Sequence, residues 1–400
     1  MDKMFEESII SGIAMKNRII RSATHEAMGD EAGSPTDELY RLYENLADGG
    51  VGCIITGLAG IHEEGKAFPR MLMMDKDDLV MGYRPLVDMV HGMNVPIIAQ
   101  LAHGGGKISP ASPNKVVVAP SKKKYPPWNV MARELEEKEI LKIIDSFVLA
   151  IARSKEAGFD GVQLHGAHGF LLSEFLSPHC NNRTDKWGGT IENRFRIIAE
   201  IMKKARQEVG DYPIWIKISS HDGDKNGITI SDTIEIAKMF QHNGGDVIEV
   251  SCGGTNFFDF MRVTKIPTEA ILAYDPVYGG KKGIEKKLYS MVLPKVIHKE
   301  EPIHLYNVDS ATKIKEEVSL PVIVVGGFRH RAEIERVLMD GSADYVSLSR
   351  PLIIEPGIVN QFRQGKKEKS ACIDCGFCAV AISSAPLRCY HGKVMPLNQS

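Results

Sequence analysis

Several absences narrow the field before any motif is read. The 400-residue chain has no excess of either charge: 49 Lys and Arg against 51 Asp and Glu leave a formal net charge of -2. A surface without a basic field has no electrostatic hold on nucleic-acid phosphates or an anionic membrane, so neither is expected as a partner. No apolar run approaches the ~20 residues needed to span a bilayer. The N-terminal stretch MDKMFEESII is acidic and lacks the apolar core of a secretory signal, and a cytoplasmic protein is expected. No G-x-G-x-x-G follows a strand-like run, which argues against a doubly wound dinucleotide fold. Cysteine is sparse through most of the chain: Cys53, Cys180 and Cys252 stand alone and read as small buried hydrophobes.

What is present is a repeat of short apolar runs, each followed by an amphipathic segment. NRIIRSA, GCIITGL, VPIIAQLA, GVQLHG, IWIKIS, VIEVSC, PVIVVGG and YVSLSRP are β-branched, short and flanked by glycine or proline, as strands are. Between them lie helical patterns that run to a glycine, such as EILKIIDSFVLAIARSKEAG and NRFRIIAEIMKKARQEVG. Eight such units with near-continuous apolar strands predict an α/β fold, a (β/α)8 TIM barrel over residues 1–365, with a cysteine-rich extension over 366–400. Two long connections interrupt the repeat, from about His103 to Glu137 and from about Thr255 to Tyr306. Loops of that length in a barrel usually shape a binding site.

In this fold chemistry gathers where the strands end. The predicted strands place SATHE, QLAHGGGK, HGAHGF, VGGF and SRP there, with Lys217 inside the fifth. Taken singly, His25 and His103 read as hydrogen-bonded core residues. The glycines Gly326 and Gly327 after strand seven, with Arg350 after strand eight, suit a phosphate group. His165 and His168 are open to two readings, half of a metal site or a pair of donors to one substrate oxygen. Cys372, Cys375, Cys378 and Cys389 crowd the last thirty residues. In a reducing compartment such a set points to metal rather than disulfide, and four thiolates suit zinc as well as an iron–sulfur cluster.

The stretches KNRIIRSA, AQLAHGGGK, AGFDGVQLHGAHGFLLSEFLSPHCNNRTDKWGGTIENR, PVIVVGG and SRP, in this order, resemble the old yellow enzyme family of FMN-dependent oxidoreductases over about residues 5–365. The branch with 2,4-dienoyl-CoA reductase, enoate reductase and trimethylamine dehydrogenase is the most similar, since it also carries cysteines directly after the barrel. The resemblance implies FMN as cofactor, NAD(P)H as co-substrate and a small carbonyl- or carboxylate-bearing substrate. It implies that Ser22, Ala23, Thr24, His25 and Gly57 lie at the flavin, that Gln100 binds its pyrimidine edge and that Lys217 stands beside N1 and the C2 carbonyl. Gly326, Gly327, Ser349 and Arg350 would hold the phosphate, and His165 and His168 the substrate oxygen. It also favours [4Fe–4S] over zinc at the four cysteines.

Two departures from the family pattern bear on the reaction. Phe170 stands where most members have the tyrosine that donates a proton to the reduced alkene, and a phenyl ring has no proton to give. The chain also ends at Ser400 without the second flavin domain of those reductases. Electrons would then come from NAD(P)H directly or pass to a separate carrier protein. The rival readings are a dehydrogenase or demethylase that hands electrons through the cysteine cluster, and a phosphate-binding aldolase or isomerase barrel with structural zinc. Monomer and homo-oligomer both remain open.

Overall fold

The computed structural model describes residues 2–113, 116–297 and 299–393. The predicted extension therefore lies outside the described residues from 394 onward. Eight parallel strands close into a barrel: β1 (Ile19–Arg21), β2 (Cys53–Gly60), β3 (Ile97–Ala102), β4 (Gly161–Gly166), β5 (Ile214–Ser219), β6 (Val247–Ser251), β7 (Val322–Val325) and β8 (Tyr345–Leu348). Closure comes from β8 pairing in register with β1, Val346 opposite Ile19, while β1 pairs with β2, Ile20 opposite Cys53. The expected (β/α)8 architecture is observed.

Each strand is buried on both faces, which is why the runs are continuously apolar rather than alternating. Around them stand α1 (Asp37–Asp48), α2 (Asp78–His91), α3 (Glu137–Glu156), α4 (Ile191–Val209), α5 (Ile230–His242), α6 (Val308–Lys315), α7 (Arg331–Met339) and α8 (Ile358–Arg363). Their starts are coded locally: Thr190 caps α4 by accepting from the Asn193 N–H, and Thr229 and Asp232 form a capping box on α5. Among the described residues no helix is long and apolar enough to cross a membrane.

Side chains alternate along a strand, so every second residue enters the barrel. The lowest layer is apolar and includes Ile20, Ile98, Trp215, Val247, Ile323 and Tyr345. An N-terminal hairpin (Ser8–Ile10 with Ile13–Met15) closes this end, and Ser11 Oγ accepts from the Trp215 indole N–H at 3.0 Å. Two residues further along, at six of the eight strands, the interior turns polar, with Ser22, Gln100, Gln163, Lys217, Glu249 and Ser347, all buried. One step above these the barrel opens.

The two long connections are built structure. The first carries short strand pairs, Lys124–Tyr125 with Val130–Met131 and Val118–Ala119 with Arg133–Glu134. The second contains the helices Phe257–Phe260, Thr268–Tyr274 and Gly283–Val296. Thr268–Tyr274 shares an apolar cluster with Val380, Ala381 and Tyr390, which seats the cysteine segment on this insertion.

Candidate functional site

A cavity of about 1020 Å³, part of it open to solvent, sits at the C-terminal mouth of the barrel. Its lining includes Ser22, Ala23, Thr24, His25, Gln100, His165, His168, Lys217, Gly326, Gly327, Ser349 and Arg350. All the residues read as cofactor or substrate contacts from the sequence thus meet in one place, with one exception. Gly57 does not line the cavity. Its N–H donates to Glu26 Oε1 at 2.8 Å, and a Cβ there would fall 1.8 Å from Glu26 Oε2. Glycine is needed at this position for the buried Glu26 carboxylate, which also binds Arg21 and Tyr43, and the neighbouring Leu58 faces the cavity instead.

The polar layer under the cavity is one connected network. Glu249 accepts from Ser22 Oγ at 2.7 Å, Ser347 Oγ at 2.6 Å and Gln163 Nε2 at 2.7 Å, and its carboxylate lies 3.2 Å from Lys217 Nζ. Gln163 in turn accepts from Gln100 Nε2 at 2.8 Å. Burial, the largest single influence, pushes the Glu249 carboxyl up, but Lys217 and the three hydrogen bonds outweigh it and hold the group below its usual range. Burial lowers the Lys217 ammonium, and Glu249 opposes that shift. The cation expected at this position is therefore present as a buried ion pair with a carboxylate, a partner that the sequence alone does not reveal.

His165 and His168 stand edge to face, ring centroids 5.2 Å apart. Burial, reinforced by nearby Lys217 and Lys107, drives both well below the ordinary histidine range, so both imidazoles are neutral. His168 Nε2 is 2.8 Å from Ser251 Oγ, whereas His165 Nδ1 is buried without a protein partner. The turn that carries them is strained: His168 is at φ +64°, a region side chains seldom adopt. Two contacts hold it, its N–H donating to Ser219 Oγ at 3.2 Å and its carbonyl accepting from Lys107 Nζ at 2.7 Å. A third histidine, His25, stacks on Phe68 at 4.8 Å and also has a buried nitrogen, Nε2, without a partner. Two unpartnered imidazole nitrogens facing one cavity are what a polar ligand would satisfy.

At the far end Gly326 and Gly327 have φ +137° and +73°, and a Cβ on either would strike Tyr306 or the backbone around Ile303. Arg350 and Arg329 line the same end. Both are tied to Asp374, a residue between Cys372 and Cys375: Arg350 Nη1 lies 3.1 Å from its carboxylate, and Arg329 forms a closer pair with it. Arg329, Lys107, Phe260 and Tyr306 join the site without having been expected from the sequence. Only Lys107 and Arg329 carried a signal, as the residues shortly after the glycine runs that end strands three and seven.

Cys372, Cys375, Cys378 and Cys389 line a separate cavity of about 650 Å³, part of it open to solvent, with Arg350, Tyr390 and His391. The structure brings the four cysteines to one cavity. As placed, however, no three His, Cys, Asp or Glu side chains among the described residues are close enough to share one metal ion. Burial pushes the Cys378 thiol up to about 12 and raises Cys375. Gly376, at φ +74°, begins the helix Phe377–Ala381 where a Cβ would meet Val263 at 2.6 Å. Arg350 lines both cavities, so the two sites share a wall.

The sequence profile of the NADH:flavin oxidoreductase / NADH oxidase family matches residues 3–255. The chain is 31% identical over 376 residues to the NADH oxidase of Thermoanaerobacter brockii, covering 93% of this chain and 52% of that protein. It is 30% identical over 355 residues to the NADPH dehydrogenase of Halalkalibacterium halodurans, covering 88% of this chain and 92% of that one. Thus it spans about half the length of the first relative and nearly all of the second. Among solved structures, a 2-naphthoyl-CoA reductase complex superposes with a TM-score of 0.82 at 23% identity, over 99% of this chain and 57% of that one, a likeness of fold.

Proposed function

The chain belongs to the NADH:flavin oxidoreductase / NADH oxidase family, and on that premise we propose that it is an FMN-dependent oxidoreductase in which NAD(P)H reduces a small carbonyl- or carboxylate-bearing, α,β-unsaturated substrate. The observation that carries the reading is the single cavity floored by the Lys217–Glu249 network, edged by two neutral histidines and ended by glycine turns and arginines. The donor set fits FMN. Gln100 and Lys217 suit the polar edge of the flavin, Ser22, Ala23, Thr24 and His25 its ring, and Gly326, Gly327, Ser349 and Arg350 its phosphate. Once bound, FMN would supply the hydride chemistry that no side chain provides.

The protein's part is positional and electrostatic. Neutral His165 and His168 offer N–H donors to the substrate oxygen, and such donors are worth most where bulk water is excluded. Glu249 keeps Lys217 ionised and fixed, so the flavin edge meets an ion pair rather than a lone cation. On this reading residues 1–365 form the flavin barrel, and 366–400 a cysteine-bearing extension seated on it. Arg350→Ala should weaken FMN binding by about 10- to 150-fold, the worth of a charge-assisted hydrogen bond of ~1.5–3 kcal/mol. Flavin-fluorescence titration measures this, and unchanged affinity would count against the phosphate assignment.

We further propose that the four cysteines hold a [4Fe–4S] cluster and pass single electrons to a carrier protein. Four thiols lining one cavity, which shares Arg350 with the flavin cavity, support this. A reducing cytoplasmic setting belongs to the same reading, since it keeps the thiols free as ligands. Protein purified without oxygen should contain iron and labile sulfide in equal amounts, both lost in Cys375→Ser. Stoichiometric zinc instead would replace the cluster with a structural site.

A further inference from the structure

Lys107 is fully buried yet lines the cavity, and the reading above gives it no chemical role. Its ammonium has three N–H donors, of which the His168 carbonyl takes one at 2.7 Å. The remainder faces aromatic rings: Nζ lies 4.5 Å from the Phe260 centroid, 5.6 Å from Phe170 and 5.9 Å from Phe257. Phe170 packs at 4.6 Å on His165, and Phe260 stacks at 4.3 Å on His168. Lys107 thus sits on the same aromatic wall as the histidine pair and lines the same cavity as they do.

The other protonatable groups around this space are committed or, like His25, held neutral by burial. Lys217 is paired with Glu249, and Tyr306 donates its hydroxyl to the Phe260 carbonyl at 3.1 Å. His165 and His168 are neutral, and the arginines do not release protons.

Resting on the flavin reading, we propose that Lys107 is the catalytic proton donor of this site, protonating the substrate α-carbon once the β-carbon has been reduced. The substrate β-carbon gains a hydride whose electron pair originates in NAD(P)H, and the C=C π pair moves to give an enolate with its oxygen at His165 and His168. That enolate takes a proton from the Lys107 ammonium, forming the α C–H bond and breaking N–H. The neutral amine left behind recovers a proton from solvent. The acidity of this ammonium suits proton transfer near neutral pH. Burial, the largest influence, brings it down to about 7, against the pull of Asp259, Glu174, Asp224 and Cys180. His165 and His168, the titratable groups beside it on this wall, are neutral and do not hold the proton on. A structural alternative is that Lys107 only braces the His168 turn.

Substitution separates these two roles. Lys107→Arg keeps a cation able to bond the His168 carbonyl but cannot release a proton at neutral pH. Single-turnover reduction of 2-cyclohexen-1-one by pre-reduced holoenzyme should slow at least ~100-fold in Lys107→Arg and in Lys107→Met. The wild-type rate should fall as pH rises through about 7, a dependence absent from both variants. Phe170→Tyr in the Lys107→Arg background should restore part of the rate. Independently, the pH dependence of acetylation of Lys107 in flavin-free protein, followed by mass spectrometry, should show titration near 7. A Lys107→Arg enzyme at the wild-type rate and pH profile, or a Lys107 that titrates as an ordinary surface lysine, overturns the proposal. A wild-type protein that binds no FMN refutes the flavin reading instead, and Lys107 is then judged by its titration alone.

Discussion

Glu249→Ala is expected to lower stability by roughly 3–5 kcal/mol, because removing one member of a buried ion pair leaves the other charge uncompensated. Here the orphan would be Lys217, with Ser22, Ser347 and Gln163 each losing a partner as well. Lys217 would escape part of the penalty by giving up its proton, so the loss should be larger below neutral pH than above it. The sign follows from the pair: burial already holds the Lys217 pKa below its ordinary value, loss of Glu249 lowers it further, and folding then weakens as pH falls and the unfolded amine gains a proton the folded one refuses. Thermal denaturation at two pH values measures both effects. The double variant Lys217→Met with Glu249→Met should recover most of the loss, as apolar replacement of a buried pair often does. A Glu249→Ala protein as stable as wild type would mean that water, rather than this network, solvates Lys217.

His165→Ala is expected to cut turnover of a carbonyl-bearing substrate by about 100- to 1000-fold, the usual cost of removing a positioned donor to a developing oxyanion. His168→Ala should cost a similar amount. The geometry sharpens the contrast between them. His165 Nδ1 has no protein partner and is free to serve the ligand, whereas His168 Nε2 is tied to Ser251. Ser251→Ala should therefore reproduce a fraction of the His168 loss and none of the His165 loss. Single-turnover rates with a common enone decide this. Equal rates in wild type and His165→Ala would rule out the oxygen clamp.

Much of the barrel was legible because parallel strands buried on both faces leave continuous apolar runs, and IWIKIS or VIEVSC between amphipathic segments admits little else. The same strings show inward-facing Lys217 and Glu249, since alternation places them one layer above Trp215 and Val247. Their pairing was not legible, because it depends on β5 and β6 being neighbours with Lys217 opposite Glu249 in register. Gly57 was placed at the flavin by the resemblance alone, and in the structure what approaches it is the Glu26 carboxylate. Lys107 and Phe260 are far apart in sequence and meet only because the insertion after β6 folds a helix over the mouth. The pairing of Asp374 with Arg329 and Arg350 was not legible either, because it requires the extension to return to the barrel mouth.

Everything proposed for the cavity depends on its binding FMN for NAD(P)H-driven reduction. Visible absorbance decides that point, on purified protein reconstituted with FMN, desalted, and treated with NADPH or NADH without oxygen. A stoichiometric flavin spectrum should bleach with the nicotinamide and return when 2-cyclohexen-1-one is added. A folded protein that retains no flavin after desalting, or whose flavin neither nicotinamide reduces, would contradict it.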